Sequence, residues 1–297
     1  MNIRKLSQNT LVFFVLVIAF TVAASAQATR TWTSGVGDDA NPCSRTAPCK
    51  TFAGTISKTA ANGEINVLDP GGFGALTITK SITVDGGSFM SGVLVSSGQG
   101  IIINAANAQV TLRNLTIDGL TTGGNGVRIL NASAVFIENC QIFGFNRGIS
   151  DERTTGELTV TNSILKNSNQ TNVYLGAGSD VKTSFDNSQI KSGANYGMWF
   201  LSGFVSIRNC AVTANGDTGI FSEGTADVEV DGSNVSQNMF GVGTGTGTPA
   251  VRVGNSTITQ NKIGISIGAG RIDSYGNNRT QGNTSGSDNP TSVLSMQ

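Results

Sequence analysis

The chain has 297 residues, with 19 Lys plus Arg against 19 Asp plus Glu, so its formal net charge is zero. No basic run marks a nucleic-acid surface, and the absence of histidine removes His-based catalytic triads and His-ligated zinc. The 39 glycines and only 13% charged residues point to a turn-rich chain long enough for one large domain or two small ones.

Residues 1–28 read as an export signal. Arg4 and Lys5 form a positive start, Leu11 to Ala24 is an apolar run, and Ala24-Ser25-Ala26 or Ala26-Gln27-Ala28 offers a small-residue cleavage site. The run is shorter than the roughly 20 residues that span a bilayer. No other segment is apolar enough to do so, and the mature protein is expected to be secreted or to lie in the cell envelope. Export permits disulfides. Cys43 and Cys49, bracketed by Asn41-Pro42 and Pro48, are expected to close a small loop. In the same stretch Asp38, Asp39 and Asn41 offer oxygen atoms that could hold Ca²⁺, with turn formation as the competing role.

Residues 51–61 carry the helical pattern. Thr51 can cap the start and Gly63 the end, and Phe52, Ile56 and Ala60 share one face. A helix here is expected to cap the open end of the strand array that begins at residue 64, with residues 29–63 forming a loop-and-helix entry segment. Short alternating runs at 64–67, 75–78, 81–84, 93–95 and 101–103 are strand signals separated by glycine-rich turns.

From Val110 one phrase recurs. Val110-Thr-Leu112-Arg-Asn114 returns as Val135-Phe-Ile137-Glu-Asn139-Cys140, Leu158-Thr-Val160-Thr-Asn162-Ser163, Thr183-Ser-Phe185-Asp-Asn187-Ser188 and Val205-Ser-Ile207-Arg-Asn209-Cys210. Two further copies are Val228-Glu-Val230-Asp-Gly232-Ser233 and Val251-Arg-Val253-Gly-Asn255-Ser256. The Asn position, Gly232 in one copy, advances by 25, 23, 25, 22, 23 and 23 residues, a period that means a solenoid or array. Each copy divides into three short strands, with a corner at the Asn and another at a Gly before an apolar residue: Gly126, Gly148, Gly197, Gly219, Gly241 and Gly264. Both residue types tolerate the positive φ expected there. Cys140 and Cys210 occupy a slot filled elsewhere by Ser163, Ser188, Ser233 and Ser256. Three rungs at about 4.8 Å each separate them by roughly 14 Å, beyond the roughly 7 Å a disulfide allows between Cα atoms. They are expected to be free and buried.

These copies and corners resemble the right-handed parallel β-helix superfamily of pectate and pectin lyases, over roughly residues 64–283. Asp39-Ala-Asn41-Pro42 and Pro48-Cys49-Lys50-Thr51 resemble the entry segment of its exported bacterial members. The resemblance implies an all-β, single-stranded solenoid of about 22–25 residues per turn. It does not imply one activity, since the fold serves lyases, hydrolases, epimerases, adhesins and tailspikes. Residues 272–278 read as a degenerate last turn and 284–297 as a frayed tail.

In the enzymes resembled, the substrate groove follows the strand after the Gly corner. Alternation there turns Arg128, Ser150, Tyr174, Trp199, Phe221, Gly243 and Ser266 outward. Tyr174, Trp199 and Phe221, on consecutive rungs, form a candidate glycan-stacking strip; a strip covered by turns, or an oligomer contact, is the alternative. Arg128, Asp151, Glu152, Arg153 and Glu223 are the charged candidates, with Arg128, Asp151 and Glu152 the weak catalytic ones. Glu152 and Glu223 lie three rungs apart, too far for the roughly 5–9.5 Å of a glycosidase pair, and Asp151-Glu152-Arg153 reads as a solvated turn. No acidic cluster suited to a lyase's Ca²⁺ occurs on consecutive rungs, and the corners are short. Two functions stand: an exported glycan-binding or adhesin-like β-helix without catalysis, or a lyase or related enzyme acting on a uronate polymer.

Overall fold

The computed structural model describes residues 27–89, 91–178 and 180–295; up to residue 26 the expected export signal lies outside the described residues. The chain is an all-β parallel solenoid. Each repeat makes one turn of three strands, and each strand pairs in parallel with its equivalent in the next turn. On the first face, Ala134–Glu138 sets Val135 opposite Val110 on one side and Leu158 on the other. This face is a 12-stranded sheet from Ala28–Thr33 to Ser292–Val293. The second and third faces form one sheet of 16 strands because Leu115–Asn131 and Gln141–Asp151 run through the corner between them. Inward residues stack into one continuous core, from Phe52 and Ile65 at one end to Ile265 and Ile272 at the other. No helix among the described residues is long and apolar enough to cross a membrane.

The helix, α1, is shorter than its sequence pattern suggests and spans Phe52–Ile56. Thr51 caps it as expected, its hydroxyl accepting from the Gly54 amide at 2.9 Å. The next residues leave the helix for strand Thr59–Val67, and Gly63, expected to end the helix, pairs with Ile82 instead. The reason lies upstream. Ala28–Thr33, expected to be loop, is a strand with Thr31 opposite Ile65 and Thr33 opposite Val67. Inter-strand bonds on both sides of Thr59–Val67 outweigh a weak helical preference. The solenoid therefore starts at Ala28, not residue 64, and α1 covers its end through Phe52, whose ring lies 5.1 Å from that of Phe73. At the other end, the tail expected to fray is tied down. Amides of Thr284, Asp288, Thr291 and Leu294 donate to carbonyls of Asn261, Ile265, Ile272 and Ser274, giving partners to backbone groups of the last coil that would otherwise be an open edge.

The Asn corner is as expected. Asn114, Asn139, Asn162, Asn187, Asn209, Gly232 and Asn255 all have φ between 48° and 58°. Side-chain amides link rungs, Asn139 Nδ2 donating to Asn114 Oδ1 at 2.7 Å and Asn187 Nδ2 to Asn162 Oδ1 at 2.6 Å. The glycine corner is not as expected, since Gly126, Gly148, Gly197, Gly219, Gly241 and Gly264 are not among the positive-φ residues. Glycine is needed there for close approach: a Cβ on Gly148 would lie 2.5 Å from the Asn172 carbonyl oxygen, and one on Gly241 2.5 Å from that of Gly264. The left-handed corner falls earlier, at Gly144, Asn167, Ser192, Ala214, Gln237 and Gln260, with φ from 54° to 75°. Four of these are neither Gly nor Asn and oppose a preference of about 1–2 kcal/mol per residue, which the stacked coils hold in place.

Two buried polar ladders stiffen the stack. Ser163 Oγ accepts the Cys140 amide at 3.1 Å and donates to the Thr161 carbonyl at 2.8 Å, and Ser233 repeats this with Cys210 and Asp231. In the second ladder Asn238 Oδ1 accepts from both amides of Asn215 at 2.9 Å, while its Nδ2 donates to Val212 and Asn261. Asn238→Ala should leave at least two buried partners unsatisfied and cost about 2–4 kcal/mol, read as a lower urea midpoint; a loss under about 0.5 kcal/mol would contradict the ladder's role.

Cys43 and Cys49 form a disulfide with Cα atoms 4.7 Å apart, and Cys140 and Cys210 are free and buried. Burial pushes the Cys140 thiol up to about 12 and the Cys210 thiol up to about 11, so neither is a nucleophile near neutrality. A thiol reagent should label neither in the native protein and both after denaturation; native labelling would contradict this packing.

Candidate functional site

Five neighbouring strands of the third face carry the candidate site: Gln141–Asp151, Thr171–Leu175, Tyr196–Phe200, Thr218–Gly224 and Phe240–Gly247. Their register places Ser150, Tyr174, Trp199, Phe221 and Gly243 in one line, which is the outward column expected from alternation. The three aromatic residues are half-buried. They do not present parallel faces like rungs. Tyr174 meets Trp199 edge-on, with centroids 5.4 Å apart and planes at 74°.

A fourth ring, missed by the alternation pattern, ties the cluster together. Tyr196 stacks on Phe221 at 5.1 Å with planes 11° apart, and also lies 5.1 Å from Trp199. It belongs to a second line, Arg147, Thr171 and Tyr196, continued by Thr218 and Phe240, in which Arg147, Tyr196 and Phe240 reach the surface and the two threonines are buried. The sequence carries a signal for this line, because these residues stand one place before the Gly or Asn172 that precedes each inward apolar residue. Each strand has two outward slots, one on either side of that residue. The same line supplies Arg147, whose guanidinium sits 3.7 Å from the Tyr174 ring centroid and donates to Gln170 Oε1 at 2.7 Å. A cation over an aromatic face is a stabilising contact of about 0.5–2 kcal/mol. At the other end, Trp199 Nε1 donates to Glu223 Oε2 at 3.0 Å. Burial first, and then the Asp217 and Glu223 carboxylates, raise the Tyr196 pKa.

The remaining charged candidates are engaged. Arg128 and Glu152, on neighbouring rungs, form a two-pronged pair at 2.9 and 2.8 Å. Asp151 and Arg153 are not a solvated turn. Their side chains are 1% and 2% exposed and joined at 2.6 Å, and Arg153 also donates to the carbonyls of Ala132 and Glu157. The strand continues through Asp151 and turns its carboxylate inward, where it is stable only because the Arg153 guanidinium folds back to neutralise it. Asp151 is thus a corner brace, closed to a substrate. Glu152 and Glu223 occupy equivalent positions three rungs apart.

In the entry loop, Asp39 accepts from the Lys50 and Thr51 amides and the Thr51 hydroxyl, and Asp38 from the Ala40 amide. Burial raises the Asp39 pKa, but those bonds outweigh it and hold the group lowered. Asn41 Nδ2 donates to the Pro48 carbonyl. These side chains brace the loop and the start of α1. Among the described residues no group of three or more His, Cys, Asp or Glu is placed to hold a metal.

The first face carries a broader, open groove of about 410 Å³ beside Lys182, Phe204, Arg208, Asp227, Glu229 and Arg252. Phe204 is 54% exposed there, and Asp227 is paired with Arg252. Its walls mix both signs of charge around a single ring, whereas the third face gathers four rings in contact.

The Arg128 hydrogen bonds, ahead of the opposing effect of burial, lower the Glu152 pKa. A lowered carboxyl contributes stability above its unfolded value of about 4.3 and loses it as pH falls through the folded value below that. Glu152→Gln should therefore lose less stability than the parent protein on acidification from about pH 5, measured by thermal midpoint. An unchanged or steeper loss would contradict the pairing.

The fold has known counterparts. Among solved structures it is similar to a pectate lyase, Pel9A, at 13% identity and a TM-score of 0.51, covering 90% of this chain and 80% of that one. It is also similar to the GH136 lacto-N-biosidase of Eubacterium ramulus, at 10% identity and a TM-score of 0.59, covering 90% and 68%. Such low identity establishes shared architecture and no more. No curated protein matches the sequence. The sequence signature described as a right handed beta helix region matches residues 99–262. With that signature over more than half its length and coils stacked in register, the chain belongs to the right-handed parallel β-helix family.

Proposed function

We propose that this is an exported β-helix protein that binds a glycan along its third face, without catalysis. The observation that carries the reading is the cluster of Tyr174, Tyr196, Trp199 and Phe221, half-buried on an outward face. Aromatic rings supply apolar area to the C–H faces of sugars, and their polar tips supply hydrogen bonds. Tyr196 contributes such a tip, the Trp199 N–H is held by Glu223, and Arg147 and Glu223 bracket the cluster. The Cys43–Cys49 bridge suits an oxidising compartment.

A second reading, a lyase or related enzyme acting on a uronate polymer, draws on the structural counterparts, a pectate lyase and a lacto-N-biosidase. It has less support from the residues. Arg128 and Glu152 satisfy each other, and Asp151 is sealed beneath the surface. Glu152 and Glu223 stand three rungs apart, roughly 14 Å at the usual strand spacing.

A glycan array followed by isothermal titration calorimetry tests the choice. The protein should bind at least one oligosaccharide class, and Trp199→Ala should weaken that binding by about tenfold or more, equivalent to about 1.4 kcal/mol. Formation of unsaturated product from a uronate panel, abolished by Arg128→Ala or Glu152→Ala, would replace this reading with the second.

A further inference from the structure

The outward line on the third face is interrupted. Ser150, Tyr174, Trp199 and Phe221 each carry a side chain, and then Gly243 carries none before Ser266. The missing side chain leaves a notch of about 140 Å³, bounded by Tyr196, Phe221, Phe240, Asp217, Gly243 and Ser266. Its floor is tight, since a Cβ on Gly243 would lie 3.3 Å from Phe221 Cδ2 and 3.4 Å from Thr218 Cγ2. Liquid water occupies about 30 Å³ per molecule, so the notch has room for a compact head group.

Its chemistry has one sign. Three aromatic side chains wall it, and Asp217 stands at its rim. Neither Asp217 nor Glu223 forms a salt bridge to a Lys or Arg among the described residues. Their shared field is felt at Tyr196, whose hydroxyl they make harder to ionise after burial has done the larger part. The cation of the cluster, Arg147, is at the opposite end over Tyr174. Lys262 takes the equivalent place to Asp217 two rungs further on, roughly 10 Å along the stack. Aromatic walls with an uncompensated carboxylate are the arrangement that draws an organic cation, through the negative faces of the rings and direct charge attraction.

We propose that the Gly243 notch is a subsite for a protonated amine and that the glycan held on the third face contains amino sugars with free ammonium groups. The inference rests on the glycan-binding reading above and narrows it. A polyuronate would bring carboxylates against Asp217 and Glu223, and like charges at close range oppose binding. An amino sugar placed with its ring against Trp199 and Phe221 directs its ammonium group toward Asp217 and the faces of Tyr196 and Phe240.

The test compares a glucosamine tetramer, its fully N-acetylated counterpart and a galacturonate tetramer by Trp199 fluorescence, at a mildly acidic pH where the amines are protonated. The glucosamine tetramer should bind at least about tenfold more tightly than the N-acetylated one. Asp217→Asn and Phe240→Leu should each bring that ratio to about threefold or less, by weakening the glucosamine tetramer more than the N-acetylated one. Unchanged circular dichroism checks that the variants fold. Equal affinities, or tighter binding of the galacturonate, would overturn the ammonium subsite and leave the glycan reading standing. A preference that survives Phe240→Leu would overturn it too, by reducing the attraction to charge alone. If no tetramer binds, the subsite falls, and the glycan array decides the reading beneath it.

Discussion

Among the described residues, strands between the two ends of the solenoid take their partners from the turns before and after them, in parallel and mostly residue for residue. Val135 cannot move along the stack without moving Val110 and Leu158. Because a strand alternates faces, a slip of one residue would turn the whole apolar set outward. Register is thus fixed by burial, and fixed register turns the repeat into columns. Inward columns make the core. Corner columns hold the left-handed turns and the glycines pressed against the next carbonyl. The Ser and Asn ladders run between these, each side chain bonding the turn beside it.

The same constraint shapes the surface. An outward position contributes least to the fold, so its residue type is free to vary, and whatever it carries is delivered at a fixed spacing to its neighbours. That is how side chains 25 residues apart, Tyr174 with Trp199 and Tyr196 with Phe221, come to touch. Charges placed on neighbouring rungs find one another too, and Arg128 with Glu152 is the result. A charge turned inward survives only with a partner folded beside it, as Asp151 has in Arg153. Regular stacking thus favours continuous binding strips and leaves few opposed, unpaired groups of the kind catalysis requires.

Much of this is legible in the amino-acid order, because period and alternation are properties of sequence. The period near 23 residues implies the coil, the Val-x-Ile pairs imply the core, and the Ser-like slot of Cys140 and Cys210 implies their separation and burial. What is not legible depends on the neighbouring turn. Glycine at 148 or 241 looks like a residue chosen for φ, and only the carbonyl 2.5 Å away reveals that space is the reason. The pattern at 51–61 is helical in isolation, and only pairing with Ala28–Thr33 explains why it ends at Ile56. Tyr196 and Phe240 escape a reading that assigns one outward slot to a strand, because they stand in the other. The Asn215, Asn238 and Asn261 ladder carries the same 23-residue spacing in plain view, but polar residues in corners read first as turn formers.

The central claim is that register places a continuous binding strip on the third face. A crystal structure with a bound glucosamine tetramer addresses it most directly. Sugar rings should lie along the solenoid axis over Trp199 and Phe221, with one amine within hydrogen-bonding distance of Asp217. A tetramer seated in the groove of the first face, between Lys182 and Arg252, with the third face bare, would contradict it.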